Sequence, residues 1–318
     1  MGAEPLLSCV VPVYNVERHL AACVGSLMAQ TYPNIEYIFV EDGSTDGSLA
    51  LLRSLLAASE RGRGATVIVN ERNRGLAATR AAGIEAARGD YLMFCDSDDW
   101  IEPQMAADMM RTAVDGGRDI VVSAYYDSYP DRERLVPLPQ AEGINLNDIP
   151  INTLYFSRWN KIISAPLIKE NGLHLFTGAD CWEDVAILAP AYALAGKVAL
   201  ISKPNYHYRH EGGTLTAQKH ALRLEQHLAV ARYVEEWFVS NGYADRYAPF
   251  LKSLKFTSKI KMLRGDAVDV TRWKRTFPET NRGIMSYRHI PARYRLAFWL
   301  AARLPARLTQ LAAGALKL

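Results

Sequence analysis

Three aspartates stand together where a predicted strand ends, and this group is well suited to chemistry. Tyr91–Phe94 is a short apolar run with β-prone residues, which predicts a buried strand, and Asp96, Asp98 and Asp99 follow it closely. So much like charge needs either solvent or a cation. Carboxylate oxygens at the end of a strand suit Mg²⁺ or Mn²⁺. A polar turn that caps the next helix is the alternative interpretation.

Two further predicted strands also end in polar residues. The apolar segment 6–13 ends at Tyr14-Asn15, the segment 35–40 ends at Glu41-Asp42, and a helical pattern follows each of them. Short strands that alternate with amphipathic helices form a parallel sheet with right-handed crossovers. Ligands bind at the carboxyl ends of the strands in such sheets. We therefore expect these residues and the aspartates to face one ligand.

The alternation of strands and helices continues beyond the aspartates. Two stretches, 127–150 and 206–213, lack periodicity and are rich in proline or polar residues, so we predict irregular loops there. The other predicted elements are strands at 65–69, 120–125 and 198–201, and helices at 17–30, 48–58, 75–88, 102–115 and 184–194.

The pattern changes after about residue 216. Long helical patterns cover 221–240 and 247–263, and strand patterns are absent from there on. We therefore predict a domain boundary near residue 213 and a helical C-terminal region over 214–318.

The composition narrows the class of protein. Of the 318 residues, 49% are hydrophobic and 22% are charged, which is ordinary for a soluble globular enzyme. The net charge of +3 is too small to indicate binding of nucleic acid. The four cysteines have no paired spacing, which predicts free thiols. Because no signal-peptide pattern opens the chain and no apolar run approaches the roughly 18 residues of a membrane span, we expect a cytoplasmic protein.

The C-terminal end is basic and amphipathic. No acidic residue follows Glu279, and leucines recur every four residues at Leu296, Leu300, Leu304 and Leu308. Such a segment suits contact with an anionic membrane surface, at the cytoplasmic face of the cell membrane. The alternative is a helix packed on the catalytic domain with solvated arginines. The basic residues after Glu279 are Arg282, Arg288, Arg293, Arg295, Arg303, Arg307 and Lys317.

Four blocks of the sequence, in this order, resemble family 2 glycosyltransferases. The blocks are residues 11–15, 30–34, 40–48 and 96–99, and a weaker resemblance continues through 159–161, 182–184 and 208–209. The family consists of inverting enzymes that use nucleotide-diphosphate sugars. The resemblance implies an α/β fold of the GT-A type, a Rossmann-like, mostly parallel sheet flanked by helices, here with a helical C-terminal appendage.

The resemblance also implies roles for the residues at the strand ends. Pro12, Tyr14 and Asp42 are expected to hold the nucleoside, with Tyr14 stacked on the base and Asp42 accepting a hydrogen bond from a uracil N3–H. Asp96 is expected to face the ribose and Asp98 to hold Mn²⁺ or Mg²⁺ on the diphosphate. The expected nucleotide-binding residues further include Asn15, Glu41, where the family usually has aspartate, Arg80, for which a solvated charge is the alternative, and Ser97.

The acceptor side is expected in the second half of the catalytic domain. In the family the general base is the aspartate of a Glu-Asp pair that opens a helix, which here is Asp184, with Glu183 as the next candidate. Without the resemblance, such a pair is usually only a favourable pairing of charge with the helix dipole. Trp182 is a candidate wall for a sugar, with core packing as the alternative. Candidates to close over the diphosphate are Lys161, Tyr208 and Arg209, each with a solvated position as the alternative.

Taken with the resemblance, the sequence predicts an inverting glycosyltransferase. It is expected to move a sugar from a UDP-sugar to a hydroxyl of a glycan or lipid-linked acceptor in surface-polysaccharide biosynthesis. The GT-A domain is expected over 1–213, with the nucleotide-sugar half at about 1–125 and the acceptor half at about 126–213. A sugar-phosphate nucleotidyltransferase is an alternative, although the turn after the first strand lacks the glycines of a phosphate loop. A non-catalytic module that binds membrane or nucleic acid is another.

Overall fold

The chain forms two compact units. The structure, a computed structural model, describes residues 4–138, 143–151, 153–210, 220–263, 269–287 and 290–305. Unit 1 comprises residues 1–144 and 152–218, and unit 2 comprises residues 145–151 and 219–318. The predicted boundary near residue 213 lies outside the described residues and stays a prediction.

Unit 1 is built on one mixed sheet. The order of its strands is β3-β2-β1-β4-β8-β6-β9-β5, and β7 pairs with β6 at the side. The strands of the described residues are β1 (Leu7–Val13), β2 (Ile35–Glu41), β3 (Thr66–Val69), β4 (Tyr91–Phe94), β5 (Trp100–Ile101), β6 (Ile120–Tyr129), β7 (Arg132–Val136), β8 (Lys161–Ser164) and β9 (Val198–Arg209). The predicted fold class is confirmed.

Helices cover this sheet and connect its parallel strands. The helix α1 shows why they pack there: its apolar residues recur at helical spacing, and Leu20, Cys23, Val24 and Leu27 are all buried. The helices of unit 1 are α1 (Glu17–Met28), α2 (Ser48–Ala57), α3 (Glu60–Arg63), α4 (Leu76–Ala86), α5 (Met105–Gly116), α6 (Thr153–Phe156), α7 (Ala165–Lys169) and α8 (Glu183–Leu194).

The centre of the sheet is parallel and fully buried. All seven residues of β1 are buried, and β1 pairs in parallel with β2 on one side and with β4 on the other. A strand that is buried on both faces has a continuous run of apolar residues. This pattern allows β1 and β4 to be identified from the sequence. The parallel pairing brings the carboxyl ends of β1, β2 and β4 to one edge of the sheet.

The second half of the sheet differs from the sequence prediction. The strand β7 lies within the predicted loop 127–150, and β9 continues through Arg209 into the predicted loop 206–213. Both loop predictions are wrong there because tertiary pairing with β6 supplies the backbone hydrogen bonds. Pro204 lies in a stretch where the register of β9 against β6 shifts, and such irregularities tolerate proline.

Unit 2 is helical around its own apolar core. Trp273, Phe256 and Phe298 are fully buried and pack together with edge contacts between their rings. Lys259 is also buried, and its ammonium donates to the carbonyl oxygens of Trp273, Thr276 and Phe277 and to Asn281. The α-helices are α9 (His220–Ser240), α10 (Ala248–Lys259), α11 (Val270–Arg275) and α12 (Ala292–Arg303), and the 3₁₀ turns are Ile260–Leu263, Pro278–Asn281 and Ile284–Ser286.

The segment 145–151 completes unit 2 from the middle of the chain. Asn147 accepts a hydrogen bond from the backbone N–H of Phe250 at 3.2 Å and donates one to the carbonyl of Arg246 at 3.0 Å. The acceptor role matters because the N-cap residue of α10, Tyr247, makes no capping hydrogen bond with its own side chain. Asn147 therefore satisfies a free N–H in the first turn of α10.

The predicted C-terminal helix is partly a core element. In α12, Phe298 and Ala301 are buried, whereas Leu296 is 52% exposed and Leu300 39%. The helix thus has one face in the core of unit 2 and a leucine face outside it. Residues 306–318, which contain Leu308, Arg307 and Lys317, lie outside the described residues. Among the helices described, none is both long and apolar enough to cross a membrane.

Candidate active site

The loops after β1 and β2 are joined by hydrogen bonds. Asn15 has a positive φ of 48°, a conformation that asparagine tolerates better than most residues. Its side-chain oxygen accepts from the N–H of Thr45 at 2.8 Å, and its own N–H donates to the hydroxyl of Ser44 at 3.1 Å. The buried carboxylate of Glu41 accepts from the N–H of Ser44 at 2.6 Å. Asn15 and Glu41 therefore order this edge of the sheet.

The Tyr14 side chain beside these loops is exposed to solvent. Tyr14 follows β1 directly and is 42% exposed, whereas Pro12 is buried within the strand. The structure thus places the Tyr14 ring where it can stack on a flat ligand, and it places Pro12 beneath the edge.

Asp42 is buried and binds a loop of the protein. One carboxylate oxygen accepts from the side-chain amide of Asn70 at 2.8 Å and from the N–H of Arg74 at 2.9 Å, and the other accepts from the N–H of Gly75 at 3.0 Å. Only 2% of the residue is exposed. In this structure Asp42 fixes the segment 70–75 after β3, and its contact with a uracil stays a prediction.

The same segment lies directly against Gly43. Gly43 has a φ of 68°, and a Cβ there would lie 2.7 Å from the backbone carbonyl carbon of Arg72 and 2.8 Å from the backbone nitrogen of Asn73. Only glycine allows this approach without displacing the loop. The Gly43-Ser44 turn and the segment 70–75 therefore form one closely packed wall of the site.

Of the aspartates after β4, Asp99 is fully buried, whereas Asp96 and Asp98 are partly buried. Asp99 is buried and accepts from the hydroxyl of Tyr206 at 2.7 Å and from the N–H of Arg209 at 2.7 Å. The Arg209 side chain donates to the backbone carbonyl of Asp98 at 2.7 Å and stacks on Trp100. Asp99 and Arg209 thus attach β9 to this loop. The Asp96 side chain is 23% exposed, and the Ser97 residue is buried.

The electrostatics of this loop favour a cation. Burial, and then the charge of Asp96, raise the pKa of Asp98 to about 6. Burial and the charges of Asp98 and Asp96 also raise the pKa of Asp99 well above its usual value. A divalent cation would relieve this repulsion, and carboxylate oxygens are suitable ligands for Mg²⁺ and Mn²⁺. Among the described residues there is no group of three or more His, Cys, Asp or Glu side chains that could hold a metal ion.

A buried ionic cluster joins the loop after β4 to the start of α8. Arg80, on α4, is 3% exposed and forms ion pairs with Asp96 and Glu183, and its guanidinium also lies 3.6 Å from Asp184. Arg158, 1% exposed, contacts Glu183 at 3.0 Å and Asp184 at 2.5 Å. The solvated position considered for Arg80 is wrong, because the charge is buried among carboxylates. The Asp184 side chain remains 22% exposed.

The helix start at Glu183 and Asp184 is strained and electrostatically distinctive. Trp182, just before α8, has a φ of 65°, a left-handed conformation that costs free energy in a non-glycine residue. Both acids lie in the first turn of α8, where the helix dipole favours negative charge. Burial, and then the neighbouring charge of Asp184, raise the pKa of Glu183 to about 7. The Asp184 side chain is the more exposed of the two acids.

Two of the diphosphate candidates lie within or against the core. Lys161 is fully buried, and its ammonium donates to the carbonyl oxygens of Leu154 and Ser157 and to the side chain of Asn160. The structure does not bring Lys161 to the site, because these internal acceptors hold it. The Tyr208 ring stacks on the buried Trp159, with 5.2 Å between the ring centroids.

Three residues of the site were missed in the sequence. Asn70 bonds Asp42, Tyr206 bonds Asp99, and Arg158 contacts both acids at the start of α8. Arg158 directly precedes the Trp-Asn-Lys block that carries part of the family resemblance, which was a signal for its importance. Asn70 and Tyr206 show no such signal, since Asn70 lies in the loop after β3 and Tyr206 is 107 residues from Asp99 along the chain.

Comparisons with known proteins agree with this geometry. The model of glycosyl transferase family 2 matches residues 8–172. EpsH of Bacillus subtilis is 31% identical over 254 residues, which cover 76% of this chain and 72% of EpsH. The poly(ribitol-phosphate) beta-glucosyltransferase of Bacillus spizizenii is 31% identical over 209 residues, which cover 64% of this chain and 32% of that protein.

The fold has a close match among solved structures. The structure of S. aureus TarS 1-349 in complex with UDP superposes with a TM-score of 0.71 at 19% identity, over 97% of this chain and 88% of that one. At this identity the match shows the fold alone. The match to the family model covers more than half of the 318 residues and includes the strand-end carboxylates of the site. The chain belongs to glycosyltransferase family 2 and is a glycosyltransferase.

Proposed function

We propose that this glycosyltransferase inverts the anomeric centre as it moves a sugar from a UDP-sugar to a hydroxyl of a glycan or lipid-linked acceptor. TarS, which shares the fold, has been solved with UDP and with UDP-GlcNAc, which supports a UDP-sugar donor. The similarity to a poly(ribitol-phosphate) beta-glucosyltransferase supports a role in surface-polysaccharide biosynthesis. Membership of the family leaves neither a nucleotidyltransferase nor a non-catalytic module as an alternative.

The observation that carries the proposal is the shared ionic cluster at the sheet edge. Arg80 contacts both Asp96, in the loop after β4, and the acids that open α8. The predicted donor side and the predicted acceptor side therefore meet at one buried guanidinium. A single displacement with inversion requires that the base and the leaving group lie on opposite sides of one sugar carbon.

Asp184 is the proposed general base. It takes the proton of the acceptor hydroxyl as the acceptor oxygen bonds to C1 of the sugar. The bond from C1 to the diphosphate oxygen breaks at the same time, and its electron pair leaves with the nucleoside diphosphate. A carboxylate side chain that is partly exposed and lies beside two arginines suits this role. Glu183, buried behind it, is the next candidate.

The leaving diphosphate needs positive charge. Asp98 and Asp96 would hold Mn²⁺ or Mg²⁺, and the ion would supply positive charge where negative charge develops on the leaving phosphate. The family is commonly dependent on such a metal. On the nucleoside side, Tyr14 is proposed to stack on the base, with Asp42 and its bound segment 70–75 forming the wall beside it.

The nucleotide preference tests the donor assignment directly. Calorimetric titration of the protein with UDP, GDP, CDP and ADP in the presence of Mn²⁺ should show the tightest binding for UDP. Tightest binding of GDP would contradict the uracil assignment, whereas binding of UDP without any dependence on Mn²⁺ would contradict the metal site.

Two substitutions separate the two halves of the reaction. Asp98→Ala should abolish the Mn²⁺-dependent binding of UDP. Asp184→Asn should leave that binding intact and reduce turnover of a UDP-sugar by about 10² to 10⁴, the usual range for a general base. Near-normal turnover by Asp184→Asn would move the base to another residue, with Glu183 tested next.

We also propose that unit 2 binds an anionic membrane surface at the cytoplasmic face. The exposed leucines of α12 lie on the same helix as Arg293, Arg295 and Arg303. Basic residues near an anionic surface contribute about 1 kcal/mol each, and the leucines add apolar contact. A lipid-linked acceptor would then be presented to the enzyme in the plane of the membrane.

A further inference from the structure

A second buried arginine lies behind the proposed base and has no part in the steps described so far. Arg158 follows α6, and only 1% of it is exposed. Its Nε atom lies 2.5 Å from Oδ1 of Asp184, and its Nη2 atom donates to Oε1 of Glu183 at 3.0 Å. The guanidinium lies over the ring of Phe94, 5.2 Å from the centroid. So deeply buried a side chain acts on the reaction only through the carboxylates it contacts.

The charges of the cluster show which carboxylate depends on Arg158. Asp96 is paired with Arg80, and Glu183 touches both arginines. Asp184 has its shortest cation contact with Arg158, because Arg80 is 3.6 Å away. Among the described residues, Oδ1 of Asp184 has no aligned hydrogen-bond donor, so charge holds this oxygen.

Stability alone is a poor explanation for this arginine. A buried ion pair is often no more stabilising than well-packed apolar side chains of similar size. Arg158 nevertheless directs a rigid cation at a carboxylate whose other parts remain exposed to the site. A planar guanidinium fixes the direction of a carboxylate better than a flexible ammonium does.

We infer that Arg158 is a positioning residue that holds Asp184 in the orientation in which it takes the acceptor proton. The inference rests on the proposed function, in which Asp184 is the base. Arg158 touches neither donor nor acceptor. Its removal should therefore change the rate of the chemical step and leave the binding of the donor unchanged.

The test compares three variants at the cluster. Arg158→Met removes the cation and approximates the length of the side chain, and Arg158→Lys keeps the charge without the planar fork. The double variant Arg158→Met with Glu183→Gln keeps the net charge of the cluster, so that a loss of folding stability in Arg158→Met is compensated. Each is measured for binding of UDP with Mn²⁺ and for kcat and KM with UDP-N-acetylglucosamine and UDP-glucose.

The expected result is a split between kcat and KM. For Arg158→Met and the double variant, kcat should fall by about 10-fold to 10²-fold, the effect of a misplaced catalytic group, whereas KM and UDP binding stay within about twofold. Arg158→Lys should recover part of kcat. The matched control is Arg61→Met, because Arg61 donates to the backbone carbonyls of Gln30 and Tyr32 elsewhere in unit 1 and should leave kcat unchanged.

The outcomes distinguish this inference from the proposed function. If the wild type turns over neither these two nor any other UDP-sugar, the proposed function fails and the inference fails with it. If the wild type is active and Asp184→Asn is not, a normal kcat for the folded double variant overturns the inference alone. Equal losses of UDP binding and kcat in all three variants would also overturn it, because they would show a merely structural role.

Discussion

At the scale of single residues, the hydroxyl of Tyr206 links two parts of the loop after β4. It donates to the Asp99 carboxylate at 2.7 Å and accepts from the N–H of Asp96 at 3.1 Å. Tyr206 itself is fully buried in β9. One hydroxyl therefore helps to fix the position of the residues that are proposed to hold the metal and the ribose.

Removal of this hydroxyl should weaken both folding and binding. Tyr206→Phe leaves the buried Asp99 carboxylate without one of its donors, which should lower the free energy of unfolding by about 1 to 3 kcal/mol. It should also weaken Mn²⁺-dependent binding of UDP, because the Asp96 N–H loses its partner. Urea unfolding and calorimetric titration measure the two effects.

A matched control exists at Tyr32. Its hydroxyl donates to the backbone carbonyl of Pro5 at 2.7 Å, and the residue is similarly buried, at 7% exposure. Tyr32→Phe should cost stability and leave UDP binding unchanged. Weaker UDP binding in both variants would show that Tyr206 has no specific role in the site.

Single residues also show how far the sequence predicts this site. The carboxylates at Asp42, Asp96 and Asp98 could be found because each follows an apolar strand, and parallel strands end at one edge. Arg158 could not be assigned, because its partners lie on a helix that begins 25 residues later. Lys161 was misjudged since sequence does not tell a buried ammonium from an exposed one.

At the scale of elements, the contact between the turn after β2 and the segment after β3 shapes the proposed nucleotide wall. Gly43→Ala would push a Cβ to 2.7 Å from the backbone of Arg72, and the backbone cannot give way as a flexible side chain can. The substitution should cost about 1 to 3 kcal/mol in stability, in line with strain at functional sites, and should weaken UDP binding by displacing the segment 70–75.

The control for this substitution is Gly117→Ala. Gly117 ends α5 with a φ of 54°, and a Cβ there would meet only the Lys197 ammonium, at 4.0 Å. The free energy of unfolding of Gly117→Ala should fall by roughly 1 to 2 kcal/mol, the cost of the left-handed conformation, and its UDP binding should be normal. If Gly43→Ala binds UDP as well as Gly117→Ala does, the wall formed by 70–75 is not part of the nucleotide site.

Elements differ in how well the sequence predicts them. The strands β1, β2 and β4 were predicted because strands buried on both faces are continuous apolar runs. The strands β7 and β8 and the end of β9 were missed because they carry polar residues and depend on pairing with β6. Local propensity is a weaker signal for such strands than tertiary context.

At the scale of the whole molecule, the predicted membrane contact can be tested without removing a core element. Deletion from residue 290 would take Phe298 out of the core of unit 2, so the loss of binding would have two explanations. Substitution of Leu296 and Leu300 by serine changes the partly exposed leucine face of α12 and leaves Phe298 and Ala301 in the core. The double variant should bind anionic vesicles more weakly than the wild type and should keep its unfolding midpoint.

Salt and a second surface site provide the controls for this prediction. Binding of the wild type should weaken at 1 M salt, where the Debye length is about 3 Å. Val239→Ser, at a residue of α9 that is 60% exposed, should bind vesicles normally. A wild type that ignores anionic vesicles, or a leucine variant that binds like the wild type, would contradict membrane contact through α12.

The capping of α10 by Asn147 affects how unit 2 can fold during translation and whether either unit can be produced as a fragment. On the ribosome, Asn147 emerges about a hundred residues before Phe250, so unit 2 cannot be completed until a segment made early is joined by helices made late. A fragment that stops near residue 213 would carry Leu146, only 2% exposed in the whole chain, without its partners. A fragment that starts at 219 would lack Asn147, whose side-chain oxygen accepts from the N–H of Phe250 in the first turn of α10. No single cut therefore releases either unit intact.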